Sequence, residues 1–121
     1  MYSYIIEGRP ITKKNSQRIV HHGGRPTIIQ SKQYVQYEKK SILQLRKNRP
    51  EKPIDYPVSV SCLYYMPTRR RVDLLNLLAA THDILVKAEI LKDDNSSIVY
   101  SVDGSRVHYD RERPRVEISI K

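Results

Sequence analysis

The stretch VSVSCLYYMPTRRRVDLLNLLAATHDIL, residues 58–85, contains the two elements that decide the fold. In its first nine residues, apolar side chains alternate with others, which is the period of a β-strand that packs one face on a core. The alternating positions are Val58, Val60, Cys62, Tyr64 and Met66. Pro67 comes next and ends the predicted strand, because proline has no backbone N–H to donate to a sheet.

Apolar residues then recur at helical spacing, which predicts a helix from Leu74 to Ala88. The predicted buried face consists of Leu74, Leu77, Leu78, Thr81, Ile84, Leu85 and Ala88. A narrow polar stripe follows another edge of the helix and consists of Asp73, Asn76, Asp83 and Lys87. His82 falls about 100° from this stripe, so we expect it at the surface or in an interface.

The sequence before this stretch predicts a short strand, a hairpin and one more helix. The strand ends at Gly8, and β-branched runs on both sides of residues 23–24 indicate the hairpin. Ser31 is placed to cap the helix, which continues to about residue 48. We expect its buried side to include Tyr34, Val35, Ile42 and Leu45.

After the second helix, the sequence predicts an acidic turn, a strand, an Asp-Gly turn at residues 103–104 and a return strand. A last strand of alternating apolar residues ends the chain. Strands and helices do not alternate regularly, which favours an α+β fold, a two-layer sandwich of a mixed β-sheet with two main helices packed on it. The length predicts a single domain over residues 1–121.

The charge of the chain points to a polyanionic partner. Twenty-two Lys and Arg against 13 Asp and Glu give a net charge of +9, an excess that attracts nucleic acid. A basic surface that serves only solubility is the alternative, but clustering at residues 9–18 and 69–71 favours binding. The single cysteine, Cys62, excludes an intramolecular disulfide and a cysteine-rich zinc site.

The hydropathy of the chain predicts no membrane segment. No apolar stretch approaches the length that spans a bilayer, and the first ten residues lack the layout of a signal peptide. We therefore expect a soluble, cytoplasmic protein.

Carboxylates stand out in this basic chain at two places, Asp73 before the second helix and Asp93-Asp94 after it. Oxygen ligands are what Mg²⁺ prefers, and the bound ion bridges to phosphate. A metal site beside a basic patch would suit a metal-dependent nuclease. The alternatives are a helix cap at Asp73 and a solvated turn at residues 93–95.

The order MPTRRRVDLLNLLAATHDILVKAEILKDDNSSIV, residues 66–99, resembles the RusA family of Holliday-junction resolvases. The shared features are a strand, an arginine-rich turn, an aspartate followed by Asn-Leu, a helix and a loop with Asp-Asp. The resemblance implies a homodimeric, Mg²⁺-dependent endodeoxyribonuclease, with Mn²⁺ as an alternative ion, that nicks four-way DNA junctions in recombination and repair. Such proteins are often carried by phages and prophages.

The resemblance also implies roles for individual residues. As catalytic residues it implies Asp73, Asp94 and Asp93, and as metal ligands Asp73, Asp94 and Asp83. Asn76 matches the asparagine of the Asn-Leu pair and is counted with the DNA-binding residues. For Asp83, a structural hydrogen bond or an ion pair with Lys87 is the alternative.

Two positions depart from the family pattern. Leu75 stands where the family has its second aspartate, and Ala79 stands where it usually has a lysine. Leucine does not ligate a metal and alanine does not contact a phosphate. Loss of one ligand weakens a metal site without necessarily abolishing it.

Cations on two segments are the predicted DNA contacts. We expect Arg69, Arg70 and Arg71 to hold the phosphates beside the metal. From the N-terminal loop we expect Lys13, Lys14, Asn15 and Arg18, together with Arg9, to follow the DNA backbone. Nine tyrosines without Phe or Trp are unusual; some could stack on unpaired bases, while core packing suits most of them.

Two other functions are compatible with these residues. One is a RusA-like protein that binds branched DNA but cleaves it poorly, because Leu75 and Ala79 replaced functional groups. The other is a small basic RNA-binding protein, which would prefer structured RNA to a DNA junction.

Overall fold

The computed structural model of the chain describes residues 1–13 and 17–121, and within residues 17–30 it describes only some of the side chains. The strands are β1 (Tyr2–Glu7), β2 (Gln17–His22), β3 (Arg25–Gln30), β4 (Val58–Met66), β5 (Val99–Ser101), β6 (Arg106–Tyr109) and β7 (Arg115–Ile120). The helices are α1 (Lys32–Arg46) and α2 (Leu74–Lys87). Among the described residues, neither helix is long and apolar enough to cross a membrane.

The main sheet is mixed and has β4 and β7 at its centre. β7 pairs antiparallel with β1 on one side and with β4 on the other. The remaining edge of β4 is shared by β5 and β6, which both run parallel to it. β2 and β3 form a separate antiparallel hairpin, as predicted. The mixed sheet and the two helices confirm the predicted α+β class.

The alternating face of β4 and the apolar face of α2 form the core, as the sequence predicted. Val58, Val60, Cys62 and Tyr64 are buried, and so is every predicted core position of α2 except the half-buried Leu74. The Thr81 hydroxyl donates to the Leu77 carbonyl oxygen at 3.0 Å, and it lies 2.8 Å from the Tyr64 hydroxyl. Because the Thr81 proton is engaged with the Leu77 carbonyl, the Tyr64 hydroxyl donates to the Thr81 oxygen. This hydrogen bond joins β4 to α2.

Burial also sets the chemistry of the single cysteine. Cys62 lies on the core face of β4 with no exposed surface, and this burial raises the pKa of its thiol to about 12. The thiol therefore stays protonated and packs as a small apolar group.

Helix α1 begins as predicted, with the Ser31 hydroxyl accepting a hydrogen bond from the Tyr34 backbone N–H at 3.1 Å. Tyr34 and Leu45 are buried and Ile42 is half-buried. Val35 was expected on or near the buried side but is 38% exposed, because it follows Tyr34 by one residue and points away from the sheet.

The predicted return strand after residues 103–104 is wrong. β5 and β6 do not pair with each other; both add to the same edge of β4 in the same direction. The Asp-Gly turn therefore interrupts an edge strand instead of reversing the chain. Gly104, at φ +87°, and Ser105 fill the interruption, and the Ser105 hydroxyl accepts a hydrogen bond from the Cys62 backbone N–H at 3.0 Å.

Candidate functional site

The candidate site is centred on the connection from β4 to α2, where Asp73 is the N-terminal cap of the helix. Its Oδ1 accepts hydrogen bonds from the backbone N–H groups of Leu75 at 2.9 Å and of Asn76 at 3.3 Å. The side chain is exposed, and among the described residues its Oδ2 has no hydrogen-bond partner. The cap alternative is thus confirmed, and it leaves one carboxylate oxygen available to a ligand.

The three arginines of residues 69–71 lie between the end of β4 and this cap, and all are exposed. Arg70 and Arg71 line a cavity of about 340 Å³ that also includes Arg9 from the N-terminal segment. The backbone N–H groups at the start of α2 add the positive end of the helix dipole. This side of the molecule is therefore suited to an anion such as phosphate.

Asp93 and Asp94 form the turn after α2, and they are not equivalent. The Asp93 carboxylate is turned onto its own loop, where it accepts from the Asp94 backbone N–H at 2.7 Å and from the Asn95 side-chain amide at 3.1 Å. Asp94 is exposed, and its charge acts on His82 of α2. Asp94 is therefore the more available ligand of the two, while Asp93 shapes the turn.

Asp83 is held between two lysines. Its Oδ2 lies 2.8 Å from the Lys13 ammonium and 3.1 Å from that of Lys87. Partial burial opposes ionisation, but hydrogen bonds from the two lysines lower the pKa of Asp83 below its ordinary value. The Lys87 pair supports the ion-pair alternative predicted for Asp83, while its role as a metal ligand stays a prediction. Lys13, expected on DNA, ties the N-terminal segment to α2.

Three of the other predicted DNA contacts have side chains that the structure does not describe. Lys14 and Asn15 lie outside the described residues, and the side chain of Arg18, on β2, does as well. Asn76 is half-buried on the first turn of α2.

The comparisons with known proteins agree with this arrangement. The sequence pattern of the family described as Endodeoxyribonuclease RusA matches residues 7–121. The chain belongs to the RusA family. A relative from Aquifex aeolicus (strain VF5), named Crossover junction endodeoxyribonuclease RusA, is 31% identical over 86 residues, which are 71% of this chain and 66% of the relative. The match therefore spans slightly less than two thirds of that relative.

Because the RusA family consists of nucleases, membership in it implies a divalent metal ion. The question is which side chains of this chain have the chemistry to bind one. Among the described residues, no group of three or more His, Cys, Asp or Glu side chains could hold a metal ion. However, Mg²⁺ usually takes only one or two protein carboxylates and completes its shell with water and substrate phosphate. Asp73 and Asp94 supply exposed carboxylate oxygens of this kind. The chemistry of each donor therefore suits Mg²⁺, while a site that Asp73 and Asp94 share stays a prediction.

The two departures from the RusA pattern lie on the surface of α2. Leu75 is 73% exposed, and Ala79, one turn later, is exposed as well. Neither side chain packs in the core, so the fold does not require an apolar residue at these positions. The substitutions change the surface beside Asp73, and they leave it without the carboxylate and the cation that the family usually has there.

His82, predicted at the surface or in an interface, is not fully exposed within the single chain. It is half-buried on α2, and among the described residues its Nε2 has no hydrogen-bond partner. Burial lowers its pKa below 6.5, although the charge of Asp94 opposes the shift. The sequence contained a signal for this burial, because residue 82 lies one turn from both Leu78 and Leu85 of the apolar face.

This burial predicts a pH-dependent stability. Since the folded pKa of His82 lies below the unfolded value of 6.5, the unfolded state binds more protons, and acidification below about pH 6.5 should destabilise the fold. The slope for one proton is at most about 1.4 kcal/mol per pH unit. Urea unfolding between pH 7 and 5 should show this loss, and His82→Gln should reduce it. An unchanged pH dependence in the variant would contradict the assignment.

Aromatic residues that the sequence did not single out lie beside the arginine turn. The Arg69 guanidinium lies over the ring of Tyr109, with its carbon 4.5 Å from the ring centroid. On β4 and β6, the rings of Tyr65 and His108 stack at 5.1 Å. Their alignment depends on the pairing of β6 with β4, which the sequence did not predict.

Proposed function

We propose that this chain is an endodeoxyribonuclease that binds four-way DNA junctions and nicks opposed strands symmetrically with the help of Mg²⁺ or Mn²⁺. The observation that carries the proposal is the exposed arginine turn, residues 69–71, which leads directly into the Asp73 cap of α2. The family supports it, since the Aquifex aeolicus relative is named as a crossover junction endodeoxyribonuclease.

Each part of this connection has a role in the proposed reaction. A divalent ion, when bound, supplies a Lewis acid at the phosphodiester and makes water more acidic. Asp73 would hold it through the oxygen that the helix cap leaves available, with Asp94 as the second carboxylate. The arginines would fix the scissile strand and stabilise the charge that builds up on its phosphate, because their guanidinium groups are cations near the reacting group.

Symmetric nicking requires two copies of the site related by a twofold axis. We therefore include a homodimer in the proposal, acting in the cytoplasm, in DNA recombination and repair. The experiment that tests the proposal is end-labelling of each strand of a four-way junction, followed by mapping of the nicks. Nicks at symmetry-related positions on two opposed strands are expected. Nicks scattered over all four strands would contradict it.

A second function is favoured by one observation, the exposed Leu75 and Ala79 where the family has an aspartate and a lysine. The chain would then be a branched-DNA-binding protein with weakened cleavage. Tight binding to the junction without nicking in either metal would decide for this function. A preference for structured RNA over the junction in competition would contradict both.

The arginine cavity predicts a salt dependence. If Arg70 and Arg71 each neutralise one phosphate, the double variant Arg70→Ala/Arg71→Ala should make the negative slope of log K against log salt concentration shallower by roughly 1.8. Fluorescence anisotropy with a labelled junction over a salt series measures this slope. Lys39→Ala, at an exposed position of α1, is the control and should change the slope less. Equal slopes for the wild type and the double variant would mean that the turn does not contact phosphates.

A further inference from the structure

An aromatic and cationic surface lies where β6 ends, beside the arginine turn. Tyr109, the last residue of β6, is 41% exposed, and Val107 on the same strand is 40% exposed. Together with Arg69 and Arg70 they line a cavity of about 530 Å³. A half-exposed tyrosine ring under an arginine thus forms one wall of an open, positively charged recess.

The core does not require this ring. The tyrosines that do serve the core, Tyr34 and Tyr64, are each 1% exposed, and Tyr64 has a hydrogen bond to Thr81. Tyr109 instead lies on an edge strand whose four residues are all exposed. Among the described residues its hydroxyl has no hydrogen-bond partner. The exposed ring is therefore available to a ligand.

The ring is also held in a defined position. Tyr109 pairs with Met66 in the β4–β6 ladder, and the next residue, Asp110, donates its backbone N–H to the Met66 carbonyl oxygen at 2.9 Å. Arg115 fixes this corner further through a 2.8 Å bond to the Asp110 carboxylate, while its guanidinium lies 3.9 Å from the centre of the Tyr65 ring. A ligand would thus meet a surface that needs little ordering on binding.

The register places the ring on the same side of the sheet as Asp73 and α2. Val107 is the neighbour of Tyr64, whose side chain points to α2, and Tyr109 shares the face of Val107 because it follows two residues later. Tyr65 and His108 alternate to the other face of these two strands and also line the recess, which therefore extends around the end of β6. The exposed ring therefore adjoins the side of the molecule where the proposed reaction takes place.

We infer that Tyr109 and Arg69 form a stacking site for an unpaired nucleobase of the DNA strand bound along the arginine turn. This inference rests on the proposed function. A base stacks on the tyrosine ring, and Arg69 and Arg70 contact its flanking phosphates. The net charge of +9 and the arginines beside the ring favour a nucleic acid over an apolar protein segment as the occupant.

The test uses the chain of residues 1–121 in the presence of chelator, so that binding is measured without cleavage. The probes are a single-stranded oligodeoxynucleotide and a four-way junction, each with 2-aminopurine near the expected contact, and a linear duplex. Tyr109→Ala is expected to weaken binding to the single strand by about 5- to 150-fold, the range for one stacked base. It should also reduce the change in 2-aminopurine fluorescence, and duplex affinity should stay within about twofold.

Two variants make the result specific. Tyr109→Phe keeps the ring and should bind DNA as the wild type does. Tyr100→Ala is the matched control, because it removes a tyrosine that is 64% exposed on β5, outside the recess, and it should also bind as the wild type does. Equal single-strand affinity of Tyr109→Ala and the wild type would overturn the stacking site, and so would an equal loss on the duplex. A shift of Tyr109→Ala to monomers in sedimentation would instead assign the ring to an interface between copies.

If the wild-type chain binds no DNA probe, the proposed function and the stacking site fail together. If the wild type binds the junction and only the Tyr109 results fail, the proposed function stands without the stacking site. A thermal melt of each variant shows whether the fold is kept. Should Tyr109→Ala unfold, Tyr109→Leu takes its place, since it keeps an apolar side chain on β6 but removes the aromatic ring. The same single-strand loss is then expected, and its absence would overturn the site.

Discussion

Asp73→Asn is expected to reduce the rate of four-way junction cleavage by more than about 100-fold, while the affinity for the junction stays equal or increases. Asparagine caps a helix about as well as aspartate, so α2 keeps its start and the fold its stability. The carboxylate charge alone is lost, and with it the ligand that we propose for the divalent ion. Removing a negative charge beside the arginine turn also lowers repulsion of the DNA.

The measurement is a single-turnover cleavage assay run beside an anisotropy titration. Asp73→Ala is the matched control for the cap, since it should lose cleavage to the same extent and in addition cost about 1 kcal/mol of stability. A variant Asp73→Asn that cleaves at the wild-type rate would exclude Asp73 from the catalytic site.

Leu75→Asp should produce the largest gain in metal affinity and in cleavage rate. The side chain is 73% exposed, so the substitution removes nothing from the core, and an acidic residue in the first turn of α2 is favoured by the helix dipole. It restores the carboxylate that the family usually has two residues after Asp73. We expect Mn²⁺ to bind at least about 10-fold more tightly and junction cleavage to become faster, because a further oxygen ligand completes the site.

Isothermal titration with Mn²⁺, with and without junction DNA, measures the gain directly. Leu43→Asp offers a matched control, since Leu43 is 68% exposed on α1 and the same charge is added there. Equal Mn²⁺ affinities of Leu75→Asp and Leu43→Asp would mean that no metal is held beside Asp73.

The sequence predicted the centre of the fold well because the signals there are local. The strict alternation of β4 and the helical spacing of α2 each depend only on which face meets the core. The path from β5 to β6 was not predictable in this way. Whether the turn at residues 103–104 reverses the chain or only interrupts a strand depends on the long edge of β4, which accepts both short strands.

The candidate site likewise has one part that local sequence signals predict and another part that they do not. Asp73 stands before a helix and beside arginines in the sequence itself, so its cap and its surroundings were predictable. The bond from Lys13 to Asp83 joins residues 70 positions apart. The exposed face of Tyr109 exists only because β6 is an edge strand. Neither the Lys13–Asp83 ion pair nor the exposure of Tyr109 leaves a local pattern in the sequence.

The proposed nuclease activity is tested most directly by cleavage of a labelled four-way junction beside a linear duplex of the same sequence, with Mg²⁺, with Mn²⁺ and with chelator. We predict paired nicks on the junction, little cleavage of the linear duplex, and no product when chelator removes the metal. Junction binding with no nick under either ion, or equal cleavage of the linear duplex, would contradict the proposed activity.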